Sequence, residues 1–251
     1  MREEILVILP YAPRAASGQE LETAVRGWIR HFRGHPRIII IGERCSVVDN
    51  LVDRGLVEHI ARPASKDPDG PEREFAALAQ FVVDTFGKDY PGFIKTDDDI
   101  YPVSDFTIAD VKRLKWIGSE LKGNPYSGNH FQRAMYNTQV ALRENGLPII
   151  NYCSHAPRWY NCEELGIVLE RFVCKTTPHL IEPLYFNYWN EPDLPKVNVN
   201  AQGNPLKYGI YSPLNPAGLE AALQSGVKWV NNSAPYYDKR IIDLINNHSN
   251  N

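Results

Sequence analysis

Three adjacent carboxylates, Asp97, Asp98 and Asp99, interrupt the apolar stretch GFIKTDDDIYPV at residues 92–103. On extended backbone, side chains alternate between faces. Asp97 and Asp99 would then project together, roughly 7 Å apart at Cα, and Asp98 the other way. Left alone, two such carboxylates repel, and at least one pKa must rise. A hard divalent cation, Mn2+ or Mg2+, removes the conflict and prefers oxygen ligands. The competing reading is an acidic turn in which Lys95 pairs with a neighbour and one aspartate caps the backbone. The apolar flanks favour the metal.

Other residue types add candidate chemistry. Glu163 and Glu164, in NCEELG, are candidate bases for an acceptor hydroxyl, or a solvated first helical turn. Arg133, Arg158 and Trp159 suit phosphate binding or stacking on a sugar ring. The aromatic run YFNYWNE around 185–190 would line a groove or pack a core.

Several functions are excluded or disfavoured. A net charge of −3 and a pI near 6.2 offer no basic field for a nucleic-acid backbone. No G-x-G-x-x-G follows the first apolar run, and no P-loop, G-x-S-x-G elbow or H-E-x-x-H is present. The four cysteines form no C-x-x-C pair and read as reduced thiols of a cytoplasmic protein. The first apolar run is short for a signal segment and ends at Pro10, and no stretch approaches the ~20 residues of a membrane span.

The elements that must position these residues follow from periodicity. EILVILPY is a continuous apolar run, as in a strand buried on both faces. Leu21, Ala24, Val25, Trp28, Ile29 and Phe32 then repeat at helical spacing, behind a capping box of Ser17 and Glu20. RIIIIGER is a second strand, Val47 to Val52 a short helix ending at Gly55, and LVEHIARP a third strand. Strand–helix–strand–helix–strand over the first 63 residues is the pattern of a doubly wound α/β sheet. Phe75 to Phe86 make a further helix. GFIKT is the fourth strand, with the aspartates at its carboxyl end, where open α/β sheets bind ligands. Beyond this, the sequence predicts a helix over DFTIADVKRLKWIG behind Thr107 and a helix ending at Asn145-Gly146. LPIINY reads as strand, NCEELGIVLERF as helix and HLIEPLYFNYW as extended. Loops with at most one short strand follow over 187–216, then a helix from Asn215-Pro216, a strand VKWVNN and a last helix. We read one domain, 1–251, with a nucleotide-fold first half (1–103) and an irregular second half (104–251) that completes the sheet and the site.

A buried strand ending in D-D-D, after a βαβαβ unit without a glycine fingerprint, resembles the GT-A fold of nucleotide-sugar glycosyltransferases. FIKTDDDIYPV and HAPRWYNCEEL also resemble segments of Stealth-type sugar-phosphate transferases. The resemblance spans about residues 3 to 175. It implies a mostly parallel central sheet with helices on both faces. It also implies a nucleotide-diphosphate sugar donor, and a glycan or other hydroxyl acceptor. Asp97 would face the ribose and also join Asp99 on Mn2+ or Mg2+, with Asp98 as a further donor-site residue. The family binds its nucleotide at the end of the first strand, here Pro10, Tyr11 and Arg14. A later histidine serves as metal ligand or catalyst, which points to His155, with His130 and His179 as weaker candidates.

Overall fold

The computed structural model describes residues 4–13, 18–63, 70–189, 196–201 and 203–249. Ser17, expected to cap the first helix, and Arg14 lie outside them. In chain order the elements begin with β1 (Glu4–Tyr11), α1 (Gly18–His31), β2 (His35–Gly42), α2 (Ser46–Asp53), β3 (Glu58–Ala61), α3 (Gly70–Phe86) and β4 (Gly92–Lys95). Next come β5 (Ile100–Pro102), α4 (Ile108–Lys112), β6 (Leu114–Trp116), α5 (His130–Glu144), β7 (Arg158–Asn161), α6 (Cys162–Arg171) and α7 (Ile181–Tyr188). The chain ends with β8 (Lys196–Asn198), β9 (Lys207–Ile210), α8 (Pro216–Gln224), β10 (Trp229–Asn232) and α9 (Lys239–Ser249).

The main sheet has the order β3-β2-β1-β4-β7. Its first four strands are parallel, and β7 closes the edge antiparallel to β4. Alternation along the strands divides the core. Leu6, Ile8, Ile39 and Ile41 face α3 and α6, packing with Ala79, Val82, Leu165 and Val168. Val7, Leu9, Ile38 and Ile40 face α1 and α2, packing with Leu21, Val25, Val48 and Leu51. A continuous apolar strand is therefore what a sheet with helices on both faces requires.

A smaller sheet, β5-β10-β9, begins immediately after the aspartates. It carries β10 antiparallel to β5 and parallel to β9. It is pressed against α1 at Gly27, where a Cβ would lie 2.6 Å from the Pro102 carbonyl oxygen. That close approach needs glycine and fixes where the chain turns after β4.

Four expectations fail locally. The helix behind Thr107 stops at Lys112. Arg113 is extended (ψ 134°), and Leu114–Trp116 pair with β8 instead. The run LPIINY forms one isolated bridge, Ile150 to Glu120, not a strand. Its neighbour bends at Gly118, which has φ +82°. HLIEPLYFNYW is helical over α7, not extended. Ile181, Leu184 and Tyr185 are buried at helical spacing. Pro183 falls in the first turn, where its missing N–H costs nothing. The segment 187–216 holds two short strands rather than one. Among the described residues no helix is long and apolar enough to cross a membrane.

Candidate metal centre

β4 ends at Lys95, and the aspartates occupy the turn that follows. Thr96 N–H still bonds to Ile8 O (3.0 Å), and Ile100 N–H closes the turn on Asp97 O (3.2 Å). The side chains separate here, although the backbone has already left the strand. Asp97, Asp99 and His155 each offer a ligand atom, and these lie within 4.8 Å of one another. Asp98 is not part of this group. Two carboxylate oxygens and an imidazole nitrogen form a donor set that suits Mn2+, and Mg2+ through its oxygens.

His155 reaches this cluster from a loop, with φ +44°. A left-handed backbone costs a non-glycine residue on the order of 1–2 kcal/mol. Two bonds hold the ring: Nε2 lies 2.9 Å from Asp99 Oδ1, and Nδ1 lies 3.0 Å from Asn231 Nδ2. Lys95 Nζ donates to Asp97 at 2.5 Å. Burial pushes the Asp97 carboxyl up, but Lys95, His155 and Arg158 outweigh it and hold Asp97 below its ordinary value. Asp98 is pushed well up, by burial first and then by Asp99 and Asp97.

Beside the cluster lies a cavity of about 500 Å³, walled by Asp97, His155, Arg158, Glu182, Lys207 and Tyr211 among others. Arg158, at the start of β7, pairs with Glu182 of α7 at 2.6 Å. Lys207 Nζ donates to Ser154 O and Tyr211 Oη, each at 2.5 Å. Burial, reinforced by Arg158, lowers Lys207 to about 7. Thr96 Oγ1, Ser154 Oγ, Arg158 Nε and Asn231 Oδ1 are buried here without a hydrogen-bond partner. Such orphans are rare in folded proteins and gather where a ligand or ordered water completes the structure. A larger groove of about 660 Å³ between α1 and α9 has no comparable ligand cluster among the described residues.

The remaining candidates divide by position. Pro10 and Tyr11 end β1, and the β1–β4 register brings that end beside the aspartates. Tyr11 is 5% exposed, and burial, then the neighbouring Cys45 through charge and a hydrogen bond, raise its pKa. Glu163 is not brought to the cluster. β7 runs antiparallel to β4, with Arg158 beside Lys95 and Asn161 beside Gly92, so Glu163 follows at the opposite rim. Glu164 bonds Tyr185 Oη there, at 2.5 Å. His130 is bound by Glu72 at 2.9 Å, and His179 is buried and lowered to about 4 by that burial. Neither lines the cavity.

Sequence reasoning missed Glu182, Lys207, Tyr211 and Asn231. Misreading α7 hid Glu182. Lys207, Gly209 and Tyr211 carried a signal in their spacing of two, which puts them on one strand face. A Cβ at 209 would lie 2.4 Å from the Tyr211 ring, so glycine lets the ring lie over the strand.

The apo structure of the bifunctional glycosyltransferase WbbM aligns with all of this chain and 50% of its own, at 10% identity and a TM-score of 0.50. The fold is GT-A-like. The apo structure of mouse xyloside xylosyltransferase 1 aligns with 94% of this chain and 100% of its own, at 11% identity and a TM-score of 0.46. No protein-family model and no curated protein matches the sequence. At 10% identity the WbbM alignment speaks to the fold alone, and chemistry must be argued from the centre itself.

Proposed function

We propose that this protein is a metal-dependent glycosyltransferase. It would move a sugar from a nucleotide-diphosphate donor to a hydroxyl of a glycan or other acceptor. The observation that carries this reading is the convergence of Asp97, Asp99 and His155 at the carboxyl rim of β4, beside a cavity that Arg158, Glu182 and Lys207 also line. Mn2+ or Mg2+ held there would act as a Lewis acid on the leaving diphosphate. The residues themselves do the positioning. Tyr11 and Pro10 form the wall for the nucleoside at the end of β1. Asp98, next to the triad in the same turn, is a further residue for a ribose hydroxyl. Arg158 and Lys207 face the cavity beyond the triad and supply hydrogen bonds to oxygens of the sugar or phosphate. Glu163 has no part in this arrangement.

The test is a thermal-shift screen of nucleotides and nucleotide sugars with and without Mn2+, followed by product analysis. A metal-dependent rise is expected, equivalent to about 2.7 kcal/mol at one hundred times Kd. Nucleoside diphosphate should then be released with an acceptor. Release of nucleoside monophosphate would instead identify transfer of a sugar phosphate. No shift with any nucleotide would remove the reading.

A further inference from the structure

Asn231 is 0% exposed on β10, and its carboxamide stands between the metal triad and β9. Its Nδ2 lies 3.0 Å from His155 Nδ1 and 3.2 Å from Tyr211 Oη, while its Oδ1 has no partner. Lys207 Nζ donates to Tyr211 Oη at 2.5 Å, and His155 Nε2 meets Asp99 Oδ1 at 2.9 Å. A continuous chain of hydrogen bonds therefore runs Lys207–Tyr211–Asn231–His155–Asp99.

The chain has two self-consistent polarities, because a carboxamide has a donor end and an acceptor end. In the arrangement seen, Asn231 Nδ2 donates to His155 Nδ1. A neutral imidazole then carries its proton on Nε2 and gives it to Asp99. The end of the Asn231 carboxamide that faces away from His155 and Tyr211 has no partner in either arrangement. The arrangement seen leaves the Tyr211 hydroxyl accepting from two donors with no acceptor for its own proton in this chain. With the carboxamide turned over, Oδ1 accepts from both His155 Nδ1–H and Tyr211 O–H. Each bond then follows from Lys207, whose amine already donates to Ser154 O and Tyr211 Oη. The Nε2 lone pair faces the two aspartates. Only this second arrangement leaves Nε2 free to ligate, since a metal needs the unprotonated nitrogen.

We propose that Asn231 is the positioning residue of this centre. It sets which nitrogen of His155 carries the proton, and its carboxamide turns over when a divalent cation occupies Asp97, Asp99 and His155, with Lys207 and Tyr211 holding the turned form. The inference rests on the metal reading of the centre, and not on glycosyl transfer.

The experiment measures Mn2+ affinity of the full chain by electron paramagnetic resonance, for wild type, Asn231→Leu, Asn231→Asp and Tyr211→Phe. Loss of a partner behind a ligating histidine typically weakens metal binding about 10–100-fold, and Asn231→Leu is expected in that range. Asn231→Asp, which offers only acceptors to Nδ1–H, should restore affinity, whereas a merely structural role for Asn231 would not distinguish Asp from Leu in this way. Tyr211→Phe should fall between. Nitrogen-15 NMR of histidine, with Zn2+ as diamagnetic probe, should show the His155 proton on Nε2 without metal and on Nδ1 with it. Affinity for Mn2+ in Asn231→Leu equal to wild type, or a proton on the same nitrogen in both states, overturns the proposal. Should Asn231→Leu fail to fold, Tyr211→Phe and the wild-type spectra decide. Absence of Mn2+ binding in wild type would remove the metal centre and this inference with it, a pattern distinct from binding that is indifferent to Asn231.

Discussion

At the scale of single residues, charge placement governs the site. Asp99 bonds His155 and belongs to the candidate ligand triad, so under the proposed function Asp99→Asn should abolish metal-dependent nucleotide binding while leaving the fold intact. Calorimetric titration with Mn2+ and a nucleoside diphosphate checks this. Persistence of metal-dependent binding in the variant would show that Asp99 is no ligand. Lys207 gives a second prediction, through stability. Its folded pKa is lowered to about 7 by burial and by Arg158, against an unfolded value near 10.4. Between those values the unfolded chain binds the proton that the folded chain has released. Stability should therefore rise with pH across this window, by at most ~1.4 kcal/mol per pH unit for this group, and be fully penalised below pH 7. Urea unfolding at pH 7 and pH 9, with chelator present, should show a smaller rise in Lys207→Met than in wild type. Equal slopes would mean that Lys207 titrates normally. Buried Lys115, also lowered well below its usual value, contributes alike to both proteins and cancels in the difference.

At the scale of elements, β7 and α7 hold the cavity wall together through Arg158 and Glu182, side chains 4% and 16% exposed. Removing one member of a buried pair leaves an uncompensated charge and costs about 3–5 kcal/mol, whereas replacing both by apolar groups is often close to neutral. Glu182→Gln is thus expected to destabilise strongly, and Arg158→Met with Glu182→Leu to recover most of the loss, as read from urea midpoints. If the double variant loses as much as the sum of the singles, the two residues act independently. This contact also shows what the sequence concealed. The parallel strands and their helices are legible because a strand buried on both faces must be uniformly apolar, and the helices covering it must be amphipathic. The aspartates could be placed at the β4 rim for the same reason. α7 escaped because aromatic and β-branched residues suit either structure when short. Its helical burial exists only in contact with α3, α5 and α6. Lys207, Tyr211 and Asn231 escaped because their roles arise from strands far apart in sequence. No local pattern pairs position 155 with position 231.

At the scale of the whole molecule, the packing crosses the line at residue 103 where the sequence suggests a division between a half for the nucleotide and a half for the acceptor. β7, from the second half, completes the main sheet beside β4, and β10 pairs with β5. Leu206 and Trp229 share one apolar cluster with Val7, Ile40 and Ile94. A fragment ending at residue 103 would expose the β4 edge, which invites association with other chains, and would strip the α1 face of its cover. It should therefore give no cooperative transition by circular dichroism on heating. The full chain should unfold in one step, and Mn2+ with a nucleotide should move that whole step upward, because binding to the native state alone stabilises everything that unfolds with it. A fragment that melts cooperatively, or a full-chain profile in which ligand shifts only the first of two transitions, would mean that the halves are separate folding units. The metal centre would then lie at a junction between them, and the triad of Asp97, Asp99 and His155 would depend on docking rather than on a single core.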